Sequence, residues 1–170
     1  MHPITWWSTV ALVLPAALID IRSRRIPNWL VLPFLAAGVV FGVAQGGVMG
    51  LEKSLSGIAL AAGSMGILCW LRAMGMGDLK LCAAVGAWIG FSQLGFALVV
   101  TAIAGGVMAL FASALKGSGA TAFGGAAGLL CGFRERGFRP NPAFALDNSH
   151  GQKIPYAPAI AIGAIFSFFL

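Results

Sequence analysis

The chain has 170 residues, of which 59% are hydrophobic and only 9% are charged, and its mean hydropathy is +0.90. Soluble domains carry about 25% charged residues, so this composition excludes a soluble globular protein and predicts an integral membrane protein. The net charge of +6 comes from basic residues in the gaps between apolar runs. A nucleic-acid-binding protein clusters such residues on one soluble face, so we expect no nucleic acid partner.

Six apolar segments follow one another along the chain. A helix that crosses a membrane needs roughly 17 to 25 residues. The predicted spans cover, in chain order, about 4–21, 28–45, 54–71, 78–91, 94–115 and 155–170. Residues 79–115 would make one helix of about 55 Å, which is too long for a single crossing, so we predict a turn at residues 90–95. The expected fold is an all-α bundle of six transmembrane helices in a single domain, residues 1–170.

A segment of about 40 residues, rich in Gly, Pro and Arg, separates the last two spans. We predict that residues 116–154 form a cytoplasmic loop, in which the apolar stretch 120–133 is too short to cross and suits an interfacial or re-entrant segment. Short loops rich in Lys and Arg stay in the cytoplasm. Six crossings with both termini on the outer side place ten of the eleven basic residues inside and leave only Lys53 outside.

Two of the five acidic residues fall at the same predicted boundary of the membrane. Asp20 ends the first span and Asp78 begins the fourth, 58 positions later in sequence. Each alone has a structural explanation, because Asp78 suits an N-cap and Asp20 can pair with Arg24 at i, i+4. An ionised acid at the bilayer centre costs about 2.5 to 3.5 kcal/mol, so two acids at one depth indicate a functional site.

Two neighbouring carboxylates can share one proton, so that one acts as a base toward water and the other as an acid toward a carbonyl. This is the chemistry of peptide hydrolysis, and it needs neither a metal nor a cofactor. Gly75 and Gly77 lack side chains and permit positive φ, so we expect a substrate backbone to lie against the turn before Asp78.

Four further polar or conformationally restricted residues are candidates for shaping this site. Lys80 either interacts with a nearby acid or extends to the lipid headgroups. Arg24, Pro27 and Asn28 either shape the site or end one helix and start the next, and the second interpretation is favoured because Pro and Asn suit a helix start.

Three sequence motifs resemble those of a known family. Gly75-Met-Gly77-Asp78-Leu-Lys80 resembles the GxGD motif of the type IV prepilin peptidases, which are membrane aspartyl proteases. Asp20-Ile-Arg-Ser-Arg24-Arg-Ile-Pro27-Asn28 resembles their first aspartate motif. The stretch Lys153-Ile-Pro-Tyr-Ala-Pro-Ala-Ile-Ala-Ile-Gly163 resembles the start of their last helix. Together the motifs extend over nearly the whole chain and agree with six helices.

The resemblance implies that Asp20 and Asp78 are the catalytic pair. It also implies a location in the bacterial inner membrane, a site that faces the cytoplasm, and a pilin-like precursor as substrate, with a basic leader and an apolar helix in the bilayer. The three cysteines, Cys69, Cys82 and Cys131, form no Cys-x-x-Cys pair. The chain therefore resembles the short, peptidase-only branch that serves tight-adherence or Flp-type pili, and we expect no N-methyltransferase activity.

A small proton-coupled transporter is the alternative, in which the same acids relay protons. It predicts acids nearer the midplane and repeat symmetry, neither of which is visible in the sequence. For either function, the excess of basic residues is attributed to membrane orientation and to contact with anionic lipid. The sequence makes no prediction about the oligomeric state.

Overall fold

The structure is a computed structural model that describes residues 3–23, 26–70, 74–115 and 156–169. In these ranges the backbone forms four helices, which are α1 (Pro3–Ser23), α2 (Asn28–Trp70), α3 (Met76–Leu115) and α4 (Ala157–Phe166). The predicted loop 116–154, with its apolar stretch 120–133, lies outside the described residues.

Three of the helical segments are long and apolar enough to cross a membrane, by length and composition, and they cover Ile4–Ser23, Asn28–Trp70 and Met76–Phe111. The fourth helix, α4, is apolar but shorter. The all-α class is therefore confirmed, and the chain is a membrane protein. The helix α2 begins at Asn28, where the sequence predicted the second span to begin.

Two of the helices contain a glycine whose backbone is not helical. Gly47 in α2 has φ 54° and ψ −127°, and Gly90 in α3 has φ 79° and ψ −176°. A glycine adopts positive φ without the steric cost that a Cβ brings. In a straight helix Gly42 and Gly50 would be about 12 Å apart, yet a Cβ added to Gly50 would overlap the carbonyl of Gly42. The helix α2 therefore folds back on itself around Gly47.

The described residues contain four helical elements where the sequence predicted six helices. The prediction divided α2 and α3 at two gaps, residues 45–54 and 90–95, and Gly47 and Gly90 lie in these gaps. The helical backbone resumes directly after each glycine, so each pair of predicted spans forms one interrupted element. The number of membrane crossings and the side on which each terminus lies stay predictions.

Small residues allow the second segment of α2 to pack closely against the first segment of α3. The Ser54 hydroxyl donates a hydrogen bond to the carbonyl oxygen of Ala87 at 2.9 Å, and both residues are buried. Three residues further along α2, a Cβ added to Gly57 would overlap the carbonyl of Gly86. Close backbone approach through small residues is how membrane helices commonly associate.

The helices α1 and α4 run antiparallel to each other. Near the start of α1, the ring of Trp6 packs edge-on against Phe168, just beyond the end of α4, with ring centroids 5.0 Å apart. At the other end, Asp20 of α1 is hydrogen bonded to Ala157, the first residue of α4. The core contains buried residues from all four helices, among them Leu12, Val31, Leu81 and Ile160.

Candidate active site

Asp20 lies in the last turn of α1 and is only 6% exposed. Its Oδ2 accepts a hydrogen bond from the backbone N–H of Ala157 at 3.1 Å. The first N–H groups of a helix have no acceptor within the helix, and Ala157 is the first residue of α4. The bond therefore gives a hydrogen-bond partner both to the buried carboxylate of Asp20 and to the first N–H group of α4. It also holds the start of α4 against the end of α1.

Asp78 lies in the first turn of α3 and is half-buried. Its backbone N–H donates a hydrogen bond to the carbonyl of Gly75 at 3.2 Å. Because α3 begins at Met76, Asp78 is already inside the helix, and the interpretation of this residue as an N-cap is wrong. Its Oδ2 would lie 3.4 Å from a Cβ added to Gly75, so the carboxylate turns back over the residues that precede the helix.

The structure brings Asp20 and Asp78 to the same end of the bundle, close enough for their negative charges to repel each other. The charge of Asp78 also acts on the phenol of Tyr156, the residue before Ala157. Since Ala157 is bonded to Asp20, the turn formed by Tyr156 and Ala157 adjoins both acids. These contacts could not be predicted from the sequence, although the prolines on either side of this dipeptide signal a helix start.

Of the two glycines before Asp78, Gly77 serves close packing in this structure. Neither has a positive φ, which among the described glycines occurs at Gly47 and Gly90, so the conformational freedom that glycine permits is not used at these positions. A Cβ added to Gly77 would lie 3.3 Å from Cβ of Ile26, in the segment that leads into α2. The absence of side chains therefore lets the start of α3 lie against the start of α2.

Three of the remaining candidate residues, Lys80, Pro27 and Asn28, lie at this same end of the bundle. The ammonium group of Lys80 donates a hydrogen bond to Asn28 Oδ1 at 3.0 Å, a partner that neither predicted alternative for Lys80 included. The carbonyl of Pro27 accepts from the N–H of Leu30 at 3.2 Å, so Pro27 and Asn28 start α2, as the favoured interpretation had it. Arg24 lies outside the described residues.

Two carboxylates in this arrangement can hold one proton between them, because ionising both at once brings like charges together. One can then take a proton from water while the other gives one to a second group. Within the described ranges, no group of three or more His, Cys, Asp and Glu side chains could hold a metal ion. Independence from metals stays a prediction about the reaction.

Comparison with known proteins identifies relatives of this chain. A family model described as the type IV leader peptidase family matches residues 7–110, a range that includes Asp20, Gly75, Gly77 and Asp78. The chain is 32% identical over 125 residues to the prepilin leader peptidase/N-methyltransferase of Neisseria gonorrhoeae, and this alignment covers 66% of this chain and 43% of that protein.

Proteins of the same name from other bacteria give similar values. The identity is 34% over 100 residues for Escherichia coli (strain K12), covering 55% of this chain and 44% of that protein. For Burkholderia pseudomallei (strain 1026b) the identity is 33% over 112 residues, and the alignment covers 61% of this chain and 35% of that protein. The chain therefore spans less than half the length of these relatives, and no solved structure matches it significantly. Because the family match covers more than half of the 170 residues and includes both acids, the chain belongs to the type IV leader peptidase family.

Proposed function

We propose that this chain is a membrane-embedded aspartic endopeptidase that removes the basic leader from pilin-like precursors. The observation that carries the proposal is the convergence of Asp20 and Asp78 at one end of the bundle, in a chain of the type IV leader peptidase family. The names of the relatives, prepilin leader peptidases, support the reaction class and the kind of substrate.

In the proposed mechanism, the apolar helix of the precursor packs against the bundle from the lipid. The junction between leader and helix enters between the end of α1 and the start of α3, where Asp20 and Asp78 lie. One aspartate takes a proton from water as the water oxygen bonds to the scissile carbonyl carbon. The other donates its proton to the scissile carbonyl oxygen or to the leaving amine, whose C–N bond then breaks. No metal, cofactor or covalent intermediate takes part.

Two glycines and a linked pair of side chains shape the entrance. Gly75 and Gly77 leave two of the three positions before Asp78 without side chains, so a substrate backbone can approach the carboxylate. The bond between Lys80 and Asn28 joins the starts of α2 and α3 beside this turn.

The residues that connect α1 to α2 complete the proposed site. Pro27 directly precedes α2 and follows Ile26, which lies against Gly77 near the start of α3. In the sequence, Arg24 stands between α1 and Pro27. We assign both residues to substrate binding or to shaping of the site, and to no chemical step.

We further propose six crossings of the bacterial inner membrane, with both termini on the periplasmic side and the active site facing the cytoplasm. The interruptions at Gly47 and Gly90 support this topology. The distribution of basic residues supports it as well, because most of them would lie on the cytoplasmic side. There they would also contact anionic lipid headgroups. A transporter is not proposed, because both acids lie in the terminal turns of their helices, away from the midplane that a relay would use.

N-methyltransferase activity, which forms part of the relatives' name, is not included in the proposal. Within this chain the cysteines form no Cys-x-x-Cys pair. The mass of the processed amino terminus tests this point, because a transferred methyl group would increase it.

The decisive experiment compares three variants in cells that co-express a pilin-like precursor. Asp20→Asn and Asp78→Asn each remove one ionisable carboxyl with little change in shape, and Glu52→Gln makes the same change at an exposed acid in α2. We expect cleavage to fall by at least about 10²-fold in the first two and to stay at the wild-type rate in the third. Membrane fractionation checks insertion. Wild-type cleavage by either Asn variant at the two proposed catalytic positions would overturn the proposal.

A further inference from the structure

Tyr156 adjoins both acids, and no step of the proposed hydrolysis uses it. The next residue, Ala157, is bonded to Asp20, and the charge of Asp78 acts on the Tyr156 phenol. The side chain is half-buried and makes no capping hydrogen bond to α4, although Tyr156 is the residue directly before that helix. Its position in the structure therefore calls for an explanation other than capping.

The ring of Tyr156 is held against the backbone of α3 at Gly105. A Cβ added to this buried glycine would lie 2.7 Å from Cε1 of the ring and 3.1 Å from the hydroxyl oxygen. No side chain larger than that of glycine fits there unless the ring moves. The neighbouring Gly106 is exposed, and an added Cβ there would meet nothing within 4 Å. A single methyl group at position 105 would therefore displace the ring of Tyr156.

The proposed hydrolysis would gain from a hydrogen-bond donor in addition to the two acids. One carboxylate takes a proton of the attacking water, and the other gives its proton to the carbonyl oxygen or to the leaving amine. The scissile carbonyl oxygen gains negative charge as water adds to its carbon, and hydrogen-bond donors aimed at this oxygen lower the barrier. A phenol has an ordinary pKa near 10, so it carries its proton at neutral pH and can donate.

We propose that Tyr156 is a third catalytic residue, whose hydroxyl donates a hydrogen bond to the scissile carbonyl oxygen, and that Gly105 is a positioning residue for its ring. The phenol keeps its proton throughout, so the proton transfers between water, the two aspartates and the amine are unchanged. This inference rests on the proposed peptidase function. It adds a residue of α4 and a residue of the second segment of α3 to the site formed by Asp20 and Asp78.

The first test is Tyr156→Phe, which removes only the hydroxyl and keeps the ring against Gly105. Using purified full-length protein in detergent and a pilin-like precursor, we expect kcat to fall on the order of 10²-fold. The KM and the thermal unfolding midpoint should stay near the wild-type values, because the ring packing is retained. A wild-type kcat for this variant overturns the inference.

The second test uses the matched pair Gly105→Ala and Gly106→Ala. Both variants replace glycine by alanine in one helix, so their gain in helix propensity is the same. We expect Gly105→Ala to displace the ring and lower kcat by at least about 10-fold, and Gly106→Ala to behave as wild type. Equal activities in the two variants contradict the positioning role.

Combining the variants separates positioning from loss of packing. If Gly105 acts through the hydroxyl, Gly105→Ala should cause little further loss of kcat in the Tyr156→Phe background. A full additional loss in that background would mean that Gly105 acts through packing alone, which contradicts its proposed role. The aspartate variants keep the two proposals apart. Wild-type cleavage by either Asp20→Asn or Asp78→Asn rejects the proposed aspartic peptidase mechanism. Loss of cleavage in both aspartate variants together with a wild-type kcat for Tyr156→Phe rejects only the inference about Tyr156.

Discussion

Asp20 Oδ2 and the backbone N–H of Ala157 form a buried hydrogen bond of 3.1 Å between residues 137 positions apart in sequence. The proposed catalytic residue Asp20 therefore also has a structural role, because it joins the end of α1 to the start of α4. Variants at this position can distinguish the two roles, since asparagine retains an oxygen acceptor and alanine does not.

We predict that Asp20→Ala is less stable than Asp20→Asn, although both are inactive. The alanine variant leaves the N–H of Ala157 buried without its partner, which costs about 1 to 3 kcal/mol. Thermal unfolding of both proteins in one detergent measures the difference, with Glu52→Ala as a control at an exposed acid. Equal midpoints for the two Asp20 variants would show that the bond does not stabilise the bundle.

A second prediction concerns the contact between Gly57 and Gly86. A Cβ at position 57 overlaps the backbone of Gly86, so Gly57→Ala should force α2 and α3 apart. Overpacking of this kind costs about 1 to 3 kcal/mol. Gly63→Ala is the control, because Gly63 is exposed and an added Cβ there meets nothing within 4 Å. The unfolding midpoints of the two variants should differ, and the prediction fails if Gly57→Ala is as stable as its control.

Ser54 provides a third prediction, because its hydroxyl bonds to the Ala87 carbonyl of another helix. Interhelical hydrogen bonds in membrane proteins contribute about 0.6 kcal/mol on average and at most about 1.7 kcal/mol. We expect Ser54→Ala to lose stability within this range. Ser56→Ala serves for comparison, since the Ser56 hydroxyl bonds within its own helix to the carbonyl of Lys53. A larger loss for Ser56→Ala would contradict the assignment.

The proposed topology predicts which side of the membrane each end of the bundle faces. Glu52 and Ser23 are both exposed, Glu52 just after the reversal in α2 and Ser23 just after Asp20. We expect a membrane-impermeant maleimide added to intact cells with a permeabilised outer membrane to label Glu52→Cys and not Ser23→Cys. The unsubstituted chain measures any labelling of the native cysteines. Labelling of both positions from one side would contradict the placement of these residues on opposite faces.

The lengths of the apolar runs by themselves determined much of the fold. They predicted an all-α membrane protein, a start of α2 at Asn28, and breaks in the stretches that contain Gly47 and Gly90. These features are local, because the cost of placing backbone and charge in a bilayer limits the length of a helix and the positions of its ends. The motifs around Asp20 and Asp78 likewise predicted the family, since they are continuous in sequence.

Contacts between residues far apart in sequence could not be predicted from the lengths of apolar runs or from continuous motifs. The sequence left an N-cap role open for Asp78, whereas α3 begins two residues before Asp78 and packs Gly77 against Ile26. It gave no indication that Ala157 bonds Asp20 or that Tyr156 lies on Gly105. Local residues decide where a helix starts and ends. The relative rotation and depth of the helices depend on how small residues and side chains of all four helices fit together, so tertiary packing alone decided which groups surround the two acids.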